Sequence, residues 1–220
     1  EKVDDIDRLT TLNAKRLFSI GNLPEAKFTY PIRDSLYLNI TNRCTSACTF
    51  CVRFQKSFVK GHNLMLDREP TAEDLIRGIG NPKRYREIVF CGYGEPLLRL
   101  DVVKTVAAWV KQRGGSVRLN TNGQGNLIYR RNILPELNGL IDTVSVSLNA
   151  QDAETYERIS KPSFPNAYAE VIDFIRCAKK SISDVQVTVV TAEGVDVVKC
   201  QQIADELGVV LRVRTLDVVG

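Results

Sequence analysis

Six short apolar, β-rich runs, separated by stretches with helical spacing, constrain this chain more than any other feature. The runs are residues 35–41 (SLYLNIT), 87–91 (EIVFC), 117–121 (VRLNT), 143–149 (TVSVSLN), 185–191 (VQVTVVT) and 209–216 (VVLRVRTL). Helical crossovers between neighbouring strands require parallel pairing and right-handed connections. Six such units make either an open doubly wound sheet or an incomplete barrel, and the expected fold is α/β, a partial (β/α)6 TIM-like barrel. A full eight-unit barrel typically takes ~250 residues, and this chain has 220.

The helices between the runs carry local signals. Thr71 followed by Asp74 predicts an N-cap, with the helix running to Gly80. Residues 101–113 place Val103, Val106, Ala107 and Val110 on one face, and Gly114-Gly115 stops that helix. Further helices are expected over 128–140, bent near Pro135, and over 152–160, 166–180 and 197–207. Residues 1–34 precede the first expected strand and form an N-terminal extension. It holds one amphipathic helical pattern (Ile6, Leu9, Leu17, Phe18). Residues 35–220 form the core domain.

Three of the six cysteines crowd into Cys44-Thr-Ser-Ala-Cys48-Thr-Phe-Cys51. Three thiolates on one short loop can ligate three irons of a [4Fe–4S] cluster and leave the fourth iron open to a small molecule. The same spacing also suits a zinc site completed by a distant fourth ligand. Cys200 and Cys177 fall at helical core spacing. Cys91 ends a buried strand beside Gly92-Tyr93-Gly94-Glu95-Pro96. Glycines there let a ligand approach the backbone, and Glu95 offers acceptors to a cation. The lone histidine, His62, is expected in a loop, and Trp109 in packing.

The C-x3-C-x2-C spacing, with Phe50 at the aromatic position, resembles the radical S-adenosylmethionine (SAM) superfamily, and most closely its small TatD-linked members. The order of motifs agrees. The resemblance implies that Cys44, Cys48 and Cys51 hold a [4Fe–4S] cluster. It implies that Gly92, Tyr93, Gly94 and Glu95 meet the amino group of SAM. Asn120 and Asn122 of the NTNG segment, Ser147, Asn149 and Arg158 are implied on the ribose or carboxylate side. Thr191 and Leu216 are implied as weaker candidates near the adenine.

The chemistry so implied is reductive cleavage of SAM to a 5′-deoxyadenosyl radical that abstracts hydrogen from a substrate. It needs a flavodoxin- or ferredoxin-like electron donor. The subgroup's label points to association with a TatD-type nuclease, and the open side of an incomplete barrel to a large substrate such as a peptide or RNA. A competing reading is a zinc- or cluster-stabilised module that binds nucleic acid or a nuclease without catalysis. A formal charge of +4 is too mild to decide for nucleic acid, although Arg43, Arg53, Lys56 and Lys60 could steer an acidic partner. No apolar run reaches the roughly 18 residues of a membrane span. The acidic N-terminus does not resemble a secretory signal, so the expected location is the cytoplasm.

Overall fold

A computed structural model describes residues 25–55 and 58–216. The expected helix around residues 6–18 lies outside the described residues. The main sheet has seven strands: β1 (Thr29–Ile32), β2 (Ser35–Leu38), β5 (Ile88–Phe90), β6 (Val117–Thr121), β7 (Thr143–Ser147), β8 (Asp184–Val190) and β9 (Val210–Arg214). They lie side by side in that order, and β2 through β9 are parallel. All six expected strands are present and in sequence order, as short helical crossovers require. The described strands form an open sheet, with β1 and β9 at its two ends.

Residue alternation gives this sheet two faces. Leu36, Phe90, Leu119, Val146 and Val187 turn to the helices and form the main core. The principal helices against that face are α2 (Ala72–Ile79), α3 (Leu100–Gln112), α6 (Ala153–Ser160), α7 (Ala167–Ser181) and α8 (Val197–Leu207). In α3, Val103, Val106, Ala107 and Val110 are buried as the apolar stripe requires. The capping box at α2 forms in full: Thr71 Oγ1 accepts from Asp74 N, and Asp74 accepts from Thr71 N. The opposite face carries Tyr37, Asn120, Ser147 and Thr188, a polar surface that needs another explanation than core packing.

The right-handed twist accumulated over successive strands curls such a sheet towards a barrel, and this one stays open among the described residues, a half-barrel with the opposite face on its concave inside.

Three expectations are corrected. The first strand is β1, inside the segment read as preceding all strands. It pairs antiparallel with β2 through a tight turn in which Arg33 has φ 55. Pro31 hides this strand from a pattern search, because proline lacks an N–H and is confined to sheet edges. His62 is not in a loop. It begins β4 (His62–Asn63), which pairs with β3 (Phe58–Val59) across Lys60-Gly61. Both turn residues have positive φ, as a two-residue hairpin turn demands. The helix expected over 128–140 is broken rather than bent. It is split into α4 (Gly125–Tyr129) and α5 (Leu134–Leu137). Arg130 adopts a left-handed conformation, and Asn126 Oδ1 then accepts from Ile133 N. Pro135 sits in the first turn of α5, where its missing N–H costs nothing.

Candidate functional site

The segment leaving β2 is anchored before it reaches the cysteines. Asn39 is fully buried. Its Nδ2 donates to Leu64 O (2.7 Å) and Lys27 O (3.2 Å), and its Oδ1 accepts from Tyr93 N (3.3 Å). One amide thus ties together β2, the β3–β4 hairpin and the GYGEP turn. The glycines of that turn lie directly on this segment. A Cβ on Gly92 would sit 2.2 Å from Asn39 Oδ1, and one on Gly94 would sit 2.3 Å from Arg43 O and 2.4 Å from Thr41 O. Glu69 braces the same stretch, accepting from Thr41 Oγ1 (2.5 Å) and Arg43 Nε (2.8 Å). Arg99 adds its Nη1 to Ile40 O and Pro70 O.

The cysteine loop then crosses the C-terminal ends of the strands. Ala47 N donates to Lys161 O (3.1 Å), Thr49 N to Ile159 O (2.8 Å) and Ser163 N to Thr45 O (2.8 Å). Cys44, Cys48 and Cys51 are free thiols, each partly buried. Burial pushes Cys44 up to about 11 and Cys48 up to about 12, and the charges of the neighbouring thiols add to it. Three thiolates this close disfavour one another unless a cationic centre offsets them. Three cysteine thiols on one loop are the donor set that a cubane with one open iron takes. Asn122 Nδ2 borders it, 3.9 Å from Cys44 Sγ and 2.8 Å from Thr45 Oγ1. The Ser160 hydroxyl reaches Cys48.

Glu95 is only 2% exposed, and its carboxylate is engaged by the protein. Oε1 accepts from Leu97 N (3.0 Å) and Thr121 Oγ1 (2.8 Å), and Oε2 accepts from Asn122 N (2.7 Å). Glu95 thus joins the GYGEP turn to the NTNG turn. Its burial favours the neutral form and pushes it up to about 7, although the three donors pull the other way. The folded value lies above the unfolded value of about 4.3, so the folded state holds this proton more tightly. The resulting stability is complete below about pH 4.3 and is lost as pH rises towards 7. In the cluster-free protein, the stability of wild type minus that of Glu95→Gln should fall across this window, by up to about 3 kcal/mol. Urea unfolding from pH 4 to 8 checks this, and a flat difference contradicts it.

The remaining candidates divide into groups. Asn120 and Ser147 are on the concave face, and the Oδ1 atom of Asn120 is buried without a partner. Asn149 has φ 63 and donates from Nδ2 to Ser160 Oγ (3.1 Å), behind the cysteine loop. Phe50 packs on the main core. Tyr93 is 6% exposed in a second apolar cluster with Tyr30, Val59 and Leu64, and burial pushes it up to about 12. Thr191 and Leu216 meet each other, Leu216 N donating to Thr191 Oγ1 (3.1 Å). Arg158 is exposed on α6, against Gly194, although the neighbouring Ile159 carbonyl accepts from Thr49 N of the cysteine loop.

Sequence reasoning missed Asn39 and Gln124. Gln124 is fully buried, with Nε2 donating to Ser46 Oγ and Tyr156 OH (both 3.1 Å) and Oε1 unpartnered. The signal available was its place directly after Asn122-Gly123. For Asn39 the signal was a polar residue interrupting the β2 run.

A half-barrel that gathers three cysteines, two glycine-bearing turns and a polar concave face at one end of its strands defines a class: α/β proteins that hold an iron–sulfur cluster at the barrel mouth. Residues 38–207 match the radical SAM superfamily, and the chain belongs to it. Members of that superfamily bind a [4Fe–4S] cluster and SAM. The chain is 33% identical over 165 residues to a probable GTP 3′,8-cyclase of Methanocaldococcus jannaschii, covering 74% of this chain and 49% of the relative. It is 30% identical over 177 residues to a probable dual-specificity RNA methyltransferase RlmN of Thermus thermophilus, covering 74% of this chain and 48% of that protein. The chain therefore spans about half the length of these relatives. Its fold is similar to that of Streptococcus suis SuiB bound to SAM, with TM-score 0.61, 14% identity, and coverage of 83% of this chain and 40% of that one. It is also similar to HydG, a maturase of the [FeFe]-hydrogenase, with TM-score 0.58, 20% identity, and coverage of 84% and 43%.

Proposed function

We propose that this chain cleaves SAM reductively at a [4Fe–4S] cluster held by Cys44, Cys48 and Cys51, and uses the resulting radical on a substrate bound in the half-barrel. The observation that carries this reading is the loop of three thiols, lying at the strand ends against the GYGEP and NTNG turns, within a radical SAM domain. A [4Fe–4S] cluster held by Cys44, Cys48 and Cys51 would supply the one-electron reduction that splits SAM into methionine and a 5′-deoxyadenosyl radical.

The chain's own residues do the positioning. Asn39, Glu69 and Arg99 fix the lead-in to Cys44. Glu95 locks the two turns together, so that Gly92, Gly94 and Asn122 present backbone and amide groups at one rim. Backbone groups of the GYGEP turn are the proposed partners of the SAM amino group, with Glu95 holding them in place. Ser147 and Asn149 are the proposed contacts on the ribose or carboxylate side. The glycines keep the rim shallow enough for a ligand to approach the main chain.

The proposed electron donor is flavodoxin- or ferredoxin-like. Association with a TatD-type nuclease is supported by the subgroup resemblance, and a cytoplasmic location by membership of the radical SAM superfamily. Among the described residues no helix is long and apolar enough to cross a membrane. The test is anaerobic reconstitution with iron and sulfide, reduction, and addition of SAM. The expected product is 5′-deoxyadenosine, formed slowly even without substrate. Reconstituted, reduced protein that forms none overturns the reading.

A further inference from the structure

The concave face has a chemical character of its own. From β6 through β9 the residues turned inward are largely polar, and three are arginines: Arg118 on β6, and Arg212 and Arg214 on β9. The register places Ser147, Thr188 and Arg212 side by side on neighbouring strands, and Arg214 beside Val190. Arg118, Arg212 and Arg214 thus share the inner face of one curved sheet, and both Arg118 and Arg214 favour the ionised form of the Cys91 thiol at the end of β5.

Arg118 is partly paired. Its Nη2 meets Glu87 (2.8 Å) and Tyr37 OH (3.2 Å), and its Nε is buried without a partner. Asn120, two residues further along the same strand and on the same face, keeps a buried Oδ1 without a partner. Buried polar atoms are rarely left unsatisfied unless something else completes them. Glu87 is set against Arg118, and Asp184 lies on this face at the N-terminal end of β8, hydrogen-bonded to Thr143. The two guanidiniums of β9, those of Arg212 and Arg214, are left without an ion pair among the described residues.

We propose that this concave face is the substrate site and that it takes a small molecule bearing a phosphate or diphosphate group, held by Arg118, Arg212 and Arg214. The proposal rests on the reading of the barrel mouth as the place of SAM cleavage. Two uncompensated guanidiniums match a doubly charged phosphoryl group better than a single carboxylate. Asn120 follows Arg118 towards the mouth on β6, and Ser147 stands in register with Arg212, so both would hydrogen-bond the same substrate. The three arginines share the inner face of the sheet rather than a track along its rim, which suits a small phosphorylated substrate better than a nucleic-acid backbone, whose phosphates need cations spaced along their path.

The test uses the reconstituted, SAM-bound protein and isothermal titration with inorganic pyrophosphate, citrate and an unphosphorylated single-stranded oligonucleotide. Pyrophosphate should bind more tightly than the other two. Its affinity should fall at least tenfold in the Arg212→Gln/Arg214→Gln double variant, whose substituted positions are exposed and leave the core intact. The proposal is overturned if that affinity is unchanged in the double variant, or if citrate or the oligonucleotide binds as tightly as pyrophosphate. Formation of 5′-deoxyadenosine by wild type is scored separately. Arginine-dependent pyrophosphate binding in a protein that cannot cleave SAM would remove the functional reading and keep the anion site. SAM cleavage without pyrophosphate binding would do the reverse.

Discussion

Replacing Cys48 with alanine should abolish iron incorporation and lower 5′-deoxyadenosine formation to background, a drop of at least about a thousandfold, worth more than about 4 kcal/mol of barrier. The size follows from the ligand count. A cubane that keeps one iron open has three protein ligands, and removing one leaves two, with no fourth cysteine in the loop. Cys91, just after β5, is partly buried and engaged by Asn120, with its thiol pushed up by desolvation. Cys200 is fully buried in the core, and Cys177 packs beside the core on α7. The Cys177→Ser variant should therefore keep the iron content of wild type. Iron analysis of the two variants, reconstituted in parallel, checks both statements. Normal iron and normal SAM cleavage in Cys48→Ala would remove the loop from the site.

The second large effect is on folding. Gly94→Ala places a methyl group 2.3 Å and 2.4 Å from two backbone carbonyl oxygens, those of Arg43 and Thr41. Neither oxygen can swing away as a side chain would. The Glu95 N to Arg43 O hydrogen bond (2.8 Å) holds the two strands at that spacing. Overpacking of this kind typically costs 1–3 kcal/mol, and a backbone clash belongs at the upper end, about 3 kcal/mol or more. Gly139→Ala provides the contrast. Gly139 has φ 75 but nothing within 4 Å of its added Cβ, so only left-handed strain of about 1–2 kcal/mol is expected. Urea unfolding of both variants orders them. A Gly94→Ala protein as stable as wild type would mean that the two segments are not so closely apposed.

The framework of this fold was legible because its parallel strands are short apolar runs between helices with clear stripes and caps. Val103, Val106, Ala107 and Val110 are buried as their spacing requires, and Thr71 and Asp74 complete the expected box. What escaped was set by single residues against the local pattern. Pro31 masks an edge strand, and Arg130 turns left-handed inside an apolar helical stretch. The Lys60-Gly61 hairpin has strands of only two residues, too short to show a period.

The candidate site divides in the same way. Cys44, Cys48, Cys51 and the GYGEP turn are local motifs and could be read directly. The partners of Glu95 lie 26 and 27 residues away, at Thr121 and Asn122, and no local pattern encodes such pairings. Asn39 likewise gains its importance from Lys27, Leu64 and Tyr93, which only the fold brings together. Composition gave a net charge but not its placement, and the arginines of β6 and β9 share one face only through the register of the strands between them.

The central claim is that three cysteines hold a cubane whose remaining iron binds SAM. Electron paramagnetic resonance of the anaerobically reconstituted, dithionite-reduced protein, recorded with and without SAM, addresses it most directly. The account predicts a brown protein, a reduced [4Fe–4S] signal, and a marked change in that signal when SAM is added. A colourless protein carrying one zinc, or a cluster signal indifferent to SAM, would contradict it.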